Sequence, residues 1–198
     1  MYTQKMIIVQ IGTNDGNDGV NGFVKDNQTN IELCILVEPL NELNAKIQEN
    51  YAGINNVYIE NVAIVAHSDV EELDFFYEQN SDNYQVSSLI GSHTNISVKS
   101  SNPVVSRKIK VLSIASLFEK YDLTTIDCLF VDAEGLDIDI INSIDFNKYT
   151  IKKIVFESAH SDGNWNRADK YNNLAQKLES LNYELQQLDS LNTQAILK

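Results

Sequence analysis

A glycine-bounded turn followed by a strand-end carboxylate is the first feature of this sequence that is suited to chemistry. Gly12 and Gly16 bracket a tight turn after an apolar run, and glycine permits unusual backbone angles and close approach of a ligand. Glu38 ends the next apolar run, 22 residues after Gly16. A carboxylate there can accept two hydrogen bonds from a ribose diol. Either feature alone is an ordinary turn or a solvated strand end, but together they predict a nucleotide-type ligand site.

Two further carboxylates and a histidine follow later apolar runs. Asp132 and Glu157 each end such a run, and His160 comes three residues after Glu157. Ligands of open α/β sheets bind outside the carboxyl ends of the strands, so we expect these side chains near the glycine turn. Histidine has an ordinary pKa of about 6.5, which suits proton transfer near neutral pH.

The elements that position these residues are apolar strands that alternate with helical patterns. Because such strands are covered on both faces, they predict an α/β fold with a mostly parallel sheet and helices on both sides. The segment 183–197 predicts a C-terminal hairpin that adds one antiparallel strand at or near the sheet edge. The other predicted strands are 6–11, 33–38, 57–65, 72–77, 127–132 and 154–157.

Helices are predicted from apolar stripes and from capping residues. A stripe of Leu40, Leu43, Ile47 and Tyr51 follows Pro39, which suits the first turn of a helix. Ser113 is placed to cap the helix that follows it. Short or amphipathic helices are also expected within 17–30, after residue 135 and from residue 165 to about 181.

The composition predicts one domain over residues 1–198, with a loop or flap inserted at about 67–106, of which residues 79–106 are rich in Ser and Asn. The net charge of −13 disfavours nucleic acid and anionic membrane surfaces as partners. No apolar run approaches the roughly 20 residues that span a bilayer. The N-terminal residues do not resemble a signal peptide, so we expect a cytoplasmic protein.

The two cysteines are expected to be free and buried. Cys34 and Cys128 fall on strands that the predicted order places on opposite sides of the first strand. Two inter-strand spacings separate them by about 10 Å, beyond the roughly 7 Å limit for a disulfide.

Four motifs resemble those of the FkbM family of class I S-adenosylmethionine-dependent methyltransferases. The most specific is Asp132-Ala133-Glu134-Gly135, which is similar to the family's Asp-x-Glu-Gly signature. The turn at 9–16 resembles the first motif, with Thr13 where alanine is more usual. Segments 36–39 and 61–64 resemble the second motif and the third strand, and 154–157 fits a later strand. The resemblance runs from about residue 6 to the end.

This resemblance implies a Rossmann-like methyltransferase sheet and S-adenosylmethionine as the cofactor. It implies that the methionine part lies near the first motif, that Glu38 holds the ribose and that Asp132 lies near the amino-acid part or the sulfonium. Ser88 belongs to a short family-like motif and is a further candidate for contact with cofactor or acceptor. The complete predicted cofactor set is Gln10, Gly12, Asn14, Gly16, Glu38, Asn61, Val62, Ala63, Ser88 and Asp132.

The family is associated with O-methylation, so we predict a small-molecule hydroxyl acceptor such as a sugar or natural product. In this interpretation His160 is the general base, Asp132 positions cofactor and substrate, and Glu157 is the second choice for the base. The alternative is that His160 only braces the loop before Trp165. A nicotinamide-dependent oxidoreductase is disfavoured because the turn lacks Gly-x-Gly-x-x-Gly. A non-catalytic cofactor-binding module remains open.

Other candidate residues have simpler interpretations. Glu134 with Asp132, Glu157 and His160 offers ligands for a divalent cation, but an acidic residue near a helix start more often braces the helix, so we predict no metal. His67 is expected at the surface. His93 is expected to be a solvated loop residue, with a substrate contact as the alternative.

Overall fold

The computed structural model describes residues 5–80, 84–159 and 168–198. In chain order the elements are β1 (Met6–Ile11), α1 (Gly19–Asp26), β2 (Ile31–Val37), α2 (Asn44–Asn50), β3 (Val57–Glu60), β4 (Ala63–Val65), β5 (Glu72–Glu78), α3 (Gly91–Ser97), β6 (Val104–Ser113), α4 (Ile114–Lys120), β7 (Thr125–Val131), α5 (Asp137–Asn142), β8 (Thr150–Glu157), α6 (Ala168–Ser180), β9 (Tyr183–Gln187) and β10 (Asn192–Leu197). Short 3₁₀ turns lie at Gln28–Asn30 and Asn41–Leu43.

Seven strands form a central sheet in the order β3-β2-β1-β7-β8-β10-β9. The strands from β3 to β8 pair in parallel, and β10 runs antiparallel to both β8 and β9. The mostly parallel α/β sheet and the C-terminal hairpin are therefore confirmed. The antiparallel strand is second from the edge.

The central strands are apolar throughout because both faces of the sheet are covered. In β1, Ile8 belongs to one buried cluster, whereas Val9 and Ile11 belong to the other. Alternate side chains of a strand point to opposite faces, so each face needs its own apolar set. The carboxyl ends of β1, β2, β7 and β8 consequently meet at one edge of a rigid sheet.

The register confirms the predicted placement of the two cysteines. Cys34 on β2 and Cys128 on β7 both pair with Ile8 of β1, one from each side. Both thiols are free and buried.

The predicted strand at 57–65 is wrong as a single element. It breaks after Glu60, and β4 leaves the central sheet to pair with β6 in a second sheet of order β4-β6-β5. The break occurs where the Asn61 side chain donates to the Glu38 carbonyl and exchanges hydrogen bonds with the side chain of Asn44. These contacts fix Asn61 to the end of β2 and to α2 at the point where the chain passes from one sheet to the other.

The segment predicted as a loop or flap contains regular structure. Within 67–106 lie β5, α3 and the start of β6, and β5 pairs antiparallel with β6 over its whole length. The stretch 84–90 forms a connection between β5 and α3, and Ser88 bridges to Phe76 of β5. This part of the insertion is thus anchored on the second sheet.

The helix predictions are confirmed in the described residues, and the predicted start of the last helix at residue 165 lies outside them. The apolar stripe after Pro39 is buried, but α2 begins only at Asn44, after a 3₁₀ turn. Ser113 caps α4 by accepting a hydrogen bond from the Ser116 N–H, as predicted. No helix in the described ranges combines the length and the apolar character needed to cross a membrane.

Candidate active site

A cavity of about 370 Å³ opens at the carboxyl ends of β1, β2, β7 and β8. Its walls come from the turn after β1, the ends of β2 and β7, the start of β4 and the connection before α3. Seven of the sequence-predicted site residues line it: Gly12, Asn14, Glu38, Val62, Ala63, Asp132 and Glu157. The fold therefore brings together residues that lie far apart in the chain.

Gly12 is required by the backbone of a neighbouring strand. Its φ is +79°, and an added Cβ would lie 1.8 Å from the carbonyl oxygen of Asp132. The close approach that needs glycine is thus an approach of protein backbone. The Gly12 N–H donates to the Val37 carbonyl, which ties the turn to the end of β2 as well.

The Glu38 carboxylate links the end of β2 to the glycine turn. Its Oε2 accepts the N–H of Asn14 at 2.8 Å, and its Oε1 accepts the N–H of Leu40 at 2.9 Å. Burial raises the pKa of Glu38 to about 7. A carboxylate has about four acceptor sites, so each oxygen keeps capacity for a ligand hydroxyl.

Four predicted cofactor residues lie outside the cavity wall. The Gln10 side chain donates to Asp18, the N-cap residue of α1, and accepts from the Tyr51 hydroxyl. It therefore connects the end of β1 to the start of α1. Gly16 packs against Tyr51. Asn61 bonds to the Glu38 carbonyl and to Asn44, and the Ser88 hydroxyl donates to the backbone carbonyl of Glu134. All four positions therefore support elements that line the cavity.

Three carboxyl groups converge at the ends of β7 and β8. Oxygens of Asp132, Glu134 and Glu157 lie within 4.8 Å of one another, a spacing at which they could hold a metal ion. Burial, helped by the negative charge of Asp132, raises the pKa of Glu157 to about 9. The Asp132 residue is exposed at the cavity. Burial of its carboxyl group among protein atoms and the negative charge of Asp137 nevertheless raise its pKa.

His93 is a functional candidate that the sequence interpretation underestimated. The sequence predicts a solvated loop residue at this position, but His93 is completely buried on α3. Its Nε2 lies 2.7 Å from Oε2 of Glu134, which lines the cavity. The burial arises because α3 packs closely on β5, where a Cβ on Gly91 would lie 2.9 Å from the Phe76 ring. The Asp-x-Glu-Gly motif was the sequence signal for Glu134, and nothing comparable marked His93.

The loop that carries Glu134 is fixed by a buried aspartate. The Asp137 carboxylate accepts the N–H groups of Ala133 and Gly135, which gives this residue a bracing role. Burial raises its pKa to about 7. Asp139, in contrast, pairs at the surface with Lys170.

His160 and Trp165 lie outside the described residues, so the predicted base stays a prediction. His67 is exposed, as expected.

The cavity contains polar atoms that suit a hydroxylated ligand. Thr13 Oγ1 and Ser87 Oγ are buried and have no hydrogen-bond partner within the described part of the chain, and both residues line the cavity. Unsatisfied buried hydroxyls are costly, so a ligand that pairs with them would be stabilised. Together with the Glu38 carboxylate, these hydroxyls fit a polar ligand that carries hydroxyl groups, such as a nucleoside.

The strand order with one antiparallel strand and a site at the ends of β1, β2 and β7 defines a Rossmann-like methyltransferase fold. A methyltransferase FkbM from Methylobacillus flagellatus KT has this fold, with a TM-score of 0.57 and 13% identity over 99% of this chain and 44% of that one. SMU.1697c from Streptococcus mutans, in complex with SAH, gives a TM-score of 0.51 and 11% identity over 98% and 89%. Methanococcus jannaschii fibrillarin, a pre-rRNA processing protein, gives 0.50 and 9% over 100% and 69%.

The chain belongs to the methyltransferase FkbM domain family, whose model matches residues 10–185. The family predicted from the four motifs is therefore confirmed. The chain spans less than half of the length of the M. flagellatus protein. No curated protein sequence matches the chain.

Proposed function

We propose that this chain is an S-adenosylmethionine-dependent methyltransferase that methylates a hydroxyl group of a small molecule. Family membership supports methyl transfer and this cofactor, and SAH is present in the structure of the similar S. mutans protein. The observation that carries the proposal is the convergence of the glycine turn, Glu38 and Asp132 on one cavity.

Glu38 is the proposed ribose ligand. The two backbone N–H groups that it accepts, from Asn14 and Leu40, fix both oxygens at the cavity wall. Further lone pairs on these oxygens can accept the two hydroxyls of a ribose diol. Val62 and Ala63, on the same wall, offer apolar contact for the adenine.

The cofactor supplies an activated methyl group on a positively charged sulfur. The protein's contribution is to align the acceptor oxygen with that methyl group and to remove a proton from the hydroxyl. Asp132 and Glu157 line the cavity where this alignment would occur. His160 lies outside the described residues and remains the proposed base because it follows Glu157 by three residues in the chain, with Glu157 as the second candidate.

The acidic character of the site supports a neutral or cationic small-molecule acceptor. The chain has a net charge of −13, and the lining residues within the described ranges include six carboxyl groups but no lysine or arginine. A polyanion such as RNA would be repelled from such a surface.

Calorimetry and mass spectrometry together test the proposal. We expect S-adenosylmethionine and S-adenosylhomocysteine to bind, and NADH not to bind. A panel of sugars and hydroxylated natural products should then yield a product heavier by one methylene unit, together with S-adenosylhomocysteine. Binding of NADH alone would reject the cofactor assignment. Cofactor binding without turnover of any panel member would instead favour the non-catalytic module.

A further inference from the structure

The Glu134 side chain is held at the cavity by a histidine that cannot reach solvent. His93 is 0% exposed, and its Nε2 lies 2.7 Å from Glu134 Oε2. In the tautomer that carries a proton on Nε2, His93 donates this hydrogen bond and the Glu134 oxygen accepts it. Because His93 is fixed inside the fold, its hydrogen bond restricts the Glu134 carboxylate to few orientations. In the observed orientation the carboxylate lies beside Asp132 and Glu157.

The backbone of Glu134 is also held in an unusual conformation. Its φ is +50°, a left-handed value that costs a non-glycine residue roughly 1–2 kcal/mol. The Ser88 hydroxyl donates to its carbonyl oxygen, and the Asp137 carboxylate accepts the N–H of the following residue. Strained residues held by several contacts are concentrated at ligand sites.

The wall around Glu134 favours a positive charge. Asp132 and Glu157 lie within 4.8 Å of it through their carboxyl oxygens, and no lysine or arginine of the described ranges lines the cavity. The imidazole supplies a hydrogen bond, but it lies behind Glu134 rather than on the cavity wall. A cationic group in the cavity would therefore pair with the Glu134 carboxylate and would also favour ionisation of the neighbouring Asp132 and Glu157 carboxyls.

We propose that His93 is a positioning residue that holds the Glu134 carboxylate against a positively charged group of bound S-adenosylmethionine. The cofactor carries two such groups, the sulfonium and the α-ammonium. Glu134 recognises the positive charge that both of them have. This inference rests on the cofactor of the proposed function and is independent of the acceptor.

The test measures ligand affinity by calorimetry, without any acceptor. S-adenosylmethionine carries both positive groups, S-adenosylhomocysteine lacks the sulfonium, and 5′-methylthioadenosine lacks both. The variants are Glu134→Gln, His93→Phe and His93→Gln, since glutamine restores an N–H donor at a similar reach. His67→Gln, at an exposed site outside the cavity, is the matched control.

We expect Glu134→Gln and His93→Phe to weaken S-adenosylmethionine binding about tenfold, as for a lost hydrogen bond to a charged group. Methylthioadenosine binding should stay within about twofold, and His93→Gln should recover most of the affinity. Parallel weakening of S-adenosylhomocysteine would assign the contact to the ammonium. Weakening confined to S-adenosylmethionine would assign it to the sulfonium.

The inference is overturned if all three ligands weaken equally, because that pattern means a general loss of structure. It is also overturned if none weakens, or if His93→Gln is as damaging as His93→Phe. If His93→Phe does not fold, Glu134→Gln decides through the same ligand comparison whether Glu134 contacts the charged group, and a loss of affinity in His93→Gln would overturn the role of His93. A wild-type protein that binds none of the three ligands would instead reject the proposed function itself.

Discussion

The carbonyl oxygen of Asp132 occupies the place where a Cβ of Gly12 would lie, at 1.8 Å. The first turn and the loop after β7 are thereby packed backbone against backbone. The two segments that flank the proposed methyl-transfer site consequently cannot shift independently.

Gly12→Ala should abolish cofactor binding and lower the melting temperature strongly. The new methyl group must push Asp132 away, and the residue must also adopt a positive φ, which strains any residue that has a Cβ. Gly22→Ala is the matched control, because no atom lies within 4 Å of its added Cβ. Gly22 lies within α1, so that change should stabilise by about 0.5–1 kcal/mol. Equal melting temperatures for the two variants would contradict the packing argument.

Glu38→Ala should weaken S-adenosylmethionine binding by roughly 1–3 kcal/mol, the cost of lost hydrogen bonds to a charged group. The substitution also frees the N–H of Asn14 and of Leu40, so the turn should lose order. Calorimetry of Glu38→Ala beside Glu42→Ala separates the effects, because Glu42 makes a surface ion pair with Arg107 and does not line the cavity. An unchanged dissociation constant for Glu38→Ala would remove Glu38 from the site.

Both cysteines should resist alkylation in the native protein. Burial raises the pKa of Cys34 to about 12 and also raises the pKa of Cys128, so little thiolate forms at pH 8. Intact-mass measurement after treatment with iodoacetamide should show no adduct, and two adducts after denaturation. An intramolecular disulfide in the native protein would be incompatible with a strand between the two residues.

The sheet was predictable because each central strand carries its own signal. A short apolar run ended by a carboxylate marks β2, and a similar run marks β7. This regularity placed Cys34 and Cys128 on opposite sides of β1. Such runs reflect burial on both faces, which is a property of the fold as a whole.

The break after Glu60 and the burial of His93 were not predictable from local pattern. Asn61 ends the strand through contacts with Glu38 and Asn44, and these partners are remote in sequence. The α3 sequence has one aliphatic side chain, Ile96, which is itself 58% exposed. The sequence of α3 therefore has no apolar periodicity that would predict its position over the site. That position depends on tertiary contacts with β5.

His160→Ala should lower the methyl-transfer rate about 10²–10⁴-fold, the range for a lost acid–base group. Cofactor affinity should stay unchanged, because the proposed role concerns only the acceptor proton. The measurement is single-turnover formation of S-adenosylhomocysteine with an acceptor from the mass-shift panel. Turnover at the wild-type rate would move the assignment to Glu157, with Glu157→Gln as the next variant.

The stability of the unliganded protein should fall as the pH rises from about 5 to 9. Burial raises the pKa of Glu157 from an ordinary value of 4.5 to about 9 and that of Glu38 to about 7. In this interval the unfolded chain has lost these protons while the folded chain retains them. The free energy of unfolding decreases with pH wherever the folded state binds more protons than the unfolded state. Glu157 and Glu38 therefore lower it progressively until the pH reaches their folded-state pKa values.

Glu157→Gln should flatten part of this decline, because the amide is uncharged in both the folded and the unfolded chain and does not titrate in this interval. The melting temperature is measured between pH 5 and 9 for wild type, for Glu157→Gln and for Glu72→Gln. Glu72 is exposed on β5, so its variant should follow the wild-type curve. If the Glu157→Gln curve runs parallel to wild type over the whole interval, the Glu157 carboxyl ionises normally and the carboxyl cluster does not hold a proton at neutral pH.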